Sequence, residues 1–176
     1  NKRSIQAFYK YKKILFLKEK NVNNKKFITI LKDLQIDLIV SFSAPTVFKD
    51  ELLKLPKNGC INLHCSLLPN YSGILPSFWA LYYDEKETGA TVHFMDSKID
   101  NGDILAQEIV KINDNDSMFQ IIKKTKFIGG QLMLKVITSM INDNIKLKKN
   151  KVVAEKYYSW PTELEFKEFS KKRKLI

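Results

Sequence analysis

The spacing of apolar residues along this chain changes period several times, and each change marks an element. Phe27, Ile30, Leu31 and Leu34 recur at helical intervals behind Asn23 and Asn24, two residues suited to capping, and predict an amphipathic helix over 25–34. The next segment, Ile36 to Phe42, is β-branched and almost uniformly apolar, as in a parallel strand covered on both faces, and Pro45 ends it. A short helix is expected from Phe48 to Leu55, closed by Pro56, followed by a second buried strand from Gly59 to Leu63. Helix then strand, twice over, indicates an α/β fold.

Pro69 to Gly73 lacks apolar periodicity and reads as a loop, and Pro76 suits the first turn of a helix reaching Tyr83. Between Thr88 and Met95 the pattern alternates, with Ala90, Val92 and Phe94 on one side and Thr91, His93 and Met95 on the other. Ile104 to Ile112 is a further strand, and Ile99 to Asp103, with Asn101 and Gly102, is the expected tight connection. Asp116 is a candidate cap for a long helix with Ser117 and Gln120 in its first turn and a stripe running from Met118 through Ile121, Thr125 and Leu132 to Ile137. Gly129 and Gly130 suggest close packing. A Lys-rich strand or loop, the aromatic run Tyr157 to Thr162 and a short helix through Phe166 and Phe169 complete the chain. The expected division is a main domain over 1–145 and a basic, aromatic tail over 146–176.

Composition narrows the function classes. The 176 residues hold 28 Lys, 2 Arg and 19 acids, a net charge of +11. That charge is concentrated at the ends, with +8 in residues 1–26 and +6 in 146–176, while 27–145 carries −3. Few arginines also weaken a nucleic-acid surface, because bidentate recognition of phosphate and guanine favours Arg. Solvated lysine faces are the simpler reading, with a basic nucleic-acid-binding domain as the non-enzymatic alternative. No apolar run approaches the ~18 residues of a membrane span. Cys60 and Cys65 follow no signal-like segment, so free thiols in a cytoplasmic, reducing compartment are expected.

Two histidines carry most of the candidate chemistry. Asn62 and His64 leave a buried strand on the same side, at a strand end of the kind where open α/β sheets place ligands. The structural alternative is an Asn and a His that satisfy loop backbone groups. His93, mid-strand among apolar neighbours, reads as a half-buried structural residue. Asp100 and Asp103 flank a Gly-containing turn that supplies too few oxygens for a metal loop, and the cysteines and histidines lack zinc spacing. Cys65 beside His64 faces the other way on an extended chain, against a nucleophilic dyad.

The segment Asn62-x-His64-x-Ser66-Leu67-Leu68-Pro69, followed by Gly73, by Gly89-Ala90-Thr91-Val92-His93 and by Ile99-Asp100-x-Gly102, resembles the folate-dependent formyltransferases. The resemblance runs from about Asp37 to Gln107. It implies a Rossmann-like α/β fold, a mostly parallel sheet flanked by helices, whose first strand, binding loop and helix would precede Asn1. It also implies transfer of a formyl group from N10-formyltetrahydrofolate to an amine, without a metal. By motif, Asn62 and His64 would bond the formyl oxygen and Asp100 would orient His64 or a water and help move the proton. Thr46, Val47 and Phe48, the turn Ser66, Leu67, Leu68 and Pro69, and the loop carrying Ser97, Ile99 and Gly102 would enclose the donor. The acceptor is expected to be a small molecule such as a nucleotide-linked amino sugar, since the short stretch after the motifs leaves no room for a tRNA-holding barrel. Initiator tRNA as acceptor and hydrolysis of the donor by water are the enzymatic alternatives. Aromatics of the 157–162 tail would cover the sheet or a neighbouring subunit, which leaves a homodimer open, or would form a stacking surface for the acceptor.

Overall fold

The computed structural model describes residues 5–151 and 157–172. Helices α1 (Ile5–Tyr11) and α2 (Lys25–Asp33) precede strand β1 (Ile39–Phe42), and α3 (Asp50–Leu53) leads into β2 (Cys60–His64). Helix α4 (Pro76–Tyr82) precedes the hairpin of β3 (Glu87–Phe94) and β4 (Ile104–Lys111), and α5 (Met118–Ile141) and α6 (Glu163–Lys172) follow. None of these helices is long and apolar enough to cross a membrane. The remainder of the Lys-rich segment, 152–156, lies outside the described residues.

The four strands lie in the order β1-β2-β3-β4. β1 runs parallel to β2, with Ser41 opposite Asn62, whereas β3 and β4 join antiparallel. The described sheet is therefore mixed, and its parallel part is confined to the β1–β2 pair, because β3 returns to β4 by a hairpin. The register of β2 on β3 sets Asn62 opposite His93 and His64 opposite Thr91.

Most sequence-predicted elements form, with shifted ends. The first strand begins at Ile39 rather than Ile36, because Gln35 takes a left-handed φ of 50° and the Asp37 carbonyl accepts from Asn58 N–H in the connection. Ser117, not Asp116, caps α5: its hydroxyl accepts from Gln120 N–H, and the Gln120 side chain accepts from Ser117 N–H. Asp116 instead accepts from Asn113 N–H and pairs with Lys124 at 2.6 Å. The β3–β4 connection spans 95–103, longer than the expected turn, because Asn101 Nδ2 reaches back to Asp96 at 2.7 Å.

Three apolar clusters hold the elements together. Ile61, Leu63, Ala90 and Val92 meet Leu132, Met133 and Val136 of α5 on one sheet face. Gly129 allows this approach, since a Cβ there would lie 2.6 Å from Leu63 Cδ1; Gly130 faces open space. An aromatic cluster joins Phe78 and Trp79 of α4 to Phe166 and Phe169 of α6, and a third cluster packs Ile28 of α2 and Leu52 of α3 on Cys60. The described part of the 146–176 segment is knitted to the main body. Lys148 bridges Ile104, Tyr158 bridges Gly73, and Phe169 is fully buried.

Candidate active site

β3 is buried on both faces, because the sheet face opposite α5 is covered by loops and carries polar residues. Thr91 is tied there into the 66–69 turn: its hydroxyl donates to Ser66 O at 2.6 Å and accepts from Leu68 N–H and Gln107 Nε2. Ser66 Oγ donates to Asn70 O, and Gln107 Nε2 also reaches Leu68 O. This turn, which contains a cis Leu68–Pro69 bond, stands behind the site and braces the end of β2.

Beside that braced end His64 and His93 flank Asp100, and Asn62 joins them through His93. His64 Nδ1 lies 3.4 Å from Asp100 Oδ2, and His93 Nε2 lies 3.6 Å from Asp100 Oδ1. Asn62 Nδ2 is 3.3 Å from His93 Nε2. His64 Nε2 donates to Tyr71 O at 2.8 Å, and His93 Nδ1 donates to Phe94 O at 2.7 Å. With Nδ1–H so committed, His93 Nε2 accepts from Asn62 when the ring is neutral and faces the carboxylate as a donor when protonated. His93, expected to be structural, thus belongs to the cluster. The available signal was its register opposite Asn62, which sequence periodicity alone does not fix.

Asp100 is held in a left-handed backbone conformation, φ 49°, by contacts from three sides. Gly73 N–H donates to its Oδ2 at 2.8 Å, and Asn150 Nδ2 donates to its carbonyl at 2.7 Å and to that of Gly102 at 3.2 Å. Gly73 has φ 110°, and a Cβ there would run into Tyr158 O and the Tyr157 ring. Gly102 is equally constrained, because its Cβ would strike the Phe94 carbonyl.

Burial opposes the charge on Asp100, yet the His93 contact, the His64 charge and the Gly73 N–H outweigh it and hold the carboxyl below its ordinary value. Burial lowers the pKa of His64 more than Asp100 and Tyr71 O raise it. Burial also raises both thiols, Cys60 to about 11, so neither cysteine is an activated nucleophile. Among the described residues no group of three His, Cys, Asp or Glu side chains could hold a metal.

These groups line a cavity of about 680 Å³. Asn62, His64, Asp100 and His93 share it with Thr46, Val47, Phe48 and Ile99 from the sequence-predicted donor site. Ser66, Leu67, Leu68, Pro69, Ser97 and Gly102 do not line it. Ser66 and Leu68 hold Thr91 through backbone groups, Leu67 packs on Gly89, and Gly102 lies against the Phe94 carbonyl. Lys98, within the Ser97–Gly102 loop expected to enclose the donor, also lines the cavity, whereas sequence reasoning did not place Lys126 or the Ile74–Ser77 entry to α4 there.

A family model described as formyl transferase matches residues 1–137. The chain belongs to the formyl transferase family. Among curated relatives, a methionyl-tRNA formyltransferase of Clostridium tetani is 39% identical over 129 residues, 73% of this chain and 42% of that protein. The bifunctional polymyxin resistance protein ArnA of Wigglesworthia glossinidia brevipalpis is 40% identical over 126 residues, 72% of this chain and 19% of that protein. The chain thus spans about two fifths or less of the length of these formyl transferase relatives. Among solved structures, WlaRD, a sugar 3N-formyl transferase crystallised in the presence of dTDP and 5-N-formyl-THF, is similar with a TM-score of 0.71 and 25% identity. That match covers 89% of this chain and 53% of WlaRD.

Proposed function

We propose that this chain transfers a formyl group from N10-formyltetrahydrofolate to an amine of a small acceptor, with Asn62, His64 and Asp100 as catalytic residues. The observation that carries the reading is the convergence of an amide, two imidazoles and a buried carboxylate on one wall of a cavity roomy enough for a bicyclic ring. The acceptor nitrogen attacks the formyl carbon, the carbonyl electron pair moves to oxygen, and the bond from carbon to folate N10 then breaks. The amine proton passes to the departing nitrogen.

Each residue has a task that its contacts support. One Asn62 N–H faces His93, and the other is available to the developing oxyanion; a single such donor is worth roughly 10² to 10³ in rate. His64 was expected to donate to the same oxygen, but its Nε2 is committed to Tyr71 O and its Nδ1 to Asp100. It serves better to position Asp100, whose Oδ2 its Nδ1 faces at 3.4 Å. A carboxylate kept ionised in a buried setting is a base for the amine proton, and the adjoining imidazoles relay it. The donor would lie along Thr46, Val47, Phe48 and Ile99.

Tetrahydrofolate release by the full chain from N10-formyltetrahydrofolate, measured with and without candidate amines, tests the reading. Amine-dependent release that Asn62→Ala, His64→Ala and Asp100→Ala each abolish is expected; release indifferent to all three refutes the assignment. Release without any amine identifies a hydrolase instead. Similarity to methionyl-tRNA formyltransferases supports a second reading, which charged initiator tRNA tests in the same assay. The resemblance to a sugar 3N-formyl transferase supports a nucleotide-linked amino sugar as the finer choice.

A further inference from the structure

The face of α5 turned away from the sheet carries an apolar row of its own. Phe127, Leu134 and Ile141 recur every seven residues, with Gly130 and the half-buried Ile137 at the positions between them, which is the spacing of a helix–helix seam. Phe119 extends the row towards the start of the helix. The four large side chains Phe119, Phe127, Leu134 and Ile141 are between 57% and 77% exposed, while Ile121, Leu132, Met133 and Val136 are buried on the other face. Nothing lies within 4 Å of where a Cβ on Gly130 would stand, so a neighbouring helix can approach closely there.

The two ends of the row differ in charge. Lys123 lies in it between Phe119 and Phe127, and Asp143 stands just past its far end. Among the described residues neither side chain has an ion-pair partner, whereas the neighbouring Lys124 is held by Asp116. The last turn of α5 also has no basic residue, which leaves the negative end of its dipole uncompensated. A face with a cation at one end and an anion at the other is complementary to a copy of itself turned end for end.

We propose that this row is the interface of a homodimer in which two α5 helices pack antiparallel. A two-fold axis at Leu134 sets the leucines against each other and Phe127 of each copy against Ile141 of the other. At a rise of 1.5 Å per residue, Lys123 and Asp143 then stand about 16 Å and about 14 Å from the axis, a mismatch that a lysine side chain spans. Parallel pairing would oppose Lys123 to Lys123. The exposed parts of the four large side chains amount to about 500 Å² per copy, so the pair buries roughly 1,000 Å², the lower size limit of a specific interface. The charge of +11 resides in the chain ends, and residues 27–145 carry −3, so net repulsion does not oppose the approach of this face. A lipid surface suits the row less well, because Asp143 would meet its anionic headgroups. The row lies outside the cavity, so the proposal stands independently of formyl transfer.

Sedimentation velocity of the full chain from about 1 to 100 µM tests it, and a monomer–dimer equilibrium within that range is expected of an interface this small. Leu134→Glu should weaken association at least about tenfold, because it buries two like charges at the axis. Lys123→Glu should weaken it by about threefold or more, and adding Asp143→Lys to that variant, which exchanges the two charges, should bring association back to within about twofold of wild type. The exposed charge pair serves as a second probe that leaves the core of α5 untouched. A chain that stays monomeric throughout, a dimer indifferent to Leu134→Glu, or a charge exchange that gives no rescue overturns the proposal. Leu134-dependent binding of a monomeric chain to phosphatidylserine vesicles overturns it as well and assigns the row to a membrane surface.

Discussion

Replacing Asp100 by Asn separates chemistry from architecture, because the two side chains are nearly isosteric. Asn Oδ1 can keep the bond from Gly73 N–H, and its amide takes the place of the carboxylate oxygen beside His93 Nε2, which already accepts from Asn62. The Gly73 bond then changes from a charged to a neutral acceptor, a loss of about 1 kcal/mol, and the variant is relieved of burying a charge. For a chain of 176 residues the net change corresponds to a shift in Tm of no more than about 4 °C. Catalysis has no such compensation. The base for the amine proton is gone, which costs roughly 10² to 10⁴ in kcat, or about 3 to 5 kcal/mol of barrier. His64 also loses the main influence holding its pKa up against burial, so the pH range in which it is protonated moves further down. Tetrahydrofolate release at saturating donor and amine, recorded from pH 5 to 9 beside a thermal melt, measures all three effects. A kcat within tenfold of wild type would refute the role of the carboxylate. A fall in Tm beyond about 10 °C would show that its charge is structural.

Gly73→Ala should lower kcat sharply, since the Cβ collides with Tyr158 O and displaces the N–H that Asp100 accepts; unchanged turnover would deny that link. Gly129→Ala should cost about 1 to 3 kcal/mol in chemical denaturation by crowding Leu63, while Gly130→Ala, with open space at the Cβ, should gain up to about 1 kcal/mol. Equal effects would refute the packing of α5. The lowered pKa of His64 means that the unfolded chain binds more protons below pH 6.5, so stability should be full above that value and fall as the pH drops towards the folded pKa. The lowered pKa of Asp100 adds a second loss at more acid pH, below its ordinary 3.8. Melts of His64→Gln from pH 4 to 8 should lack the first decline; a decline of undiminished size would assign it elsewhere.

The two buried strands and α5 were legible because their patterns report a local property, which face of the chain meets the core. Asn62 and His64 were legible as a pair for the same reason, since a period of two places them on one side. His93 was not, because its meaning depends on which residue lies opposite in the next strand, and pairing register is a property of two segments together. The Ser66–Pro69 turn shows the converse: the motif marks the site, but the structure uses those residues to brace Thr91 and not to line the cavity. The tail was ambiguous from sequence because neighbouring aromatics look alike; the bridge at Gly73 sends Tyr158 inward and leaves Tyr157 and Trp160 at the cavity.

That bridge has a consequence during protein synthesis. A growing chain that has emerged as far as residue 150 already contains every side chain assigned to the reaction, yet residue 73 still lacks the backbone partner supplied by residue 158. The loop that steadies the carboxylate is completed only once residue 158 has joined it, so the site should assemble after that stretch has been synthesised and be lost to any truncation that removes it.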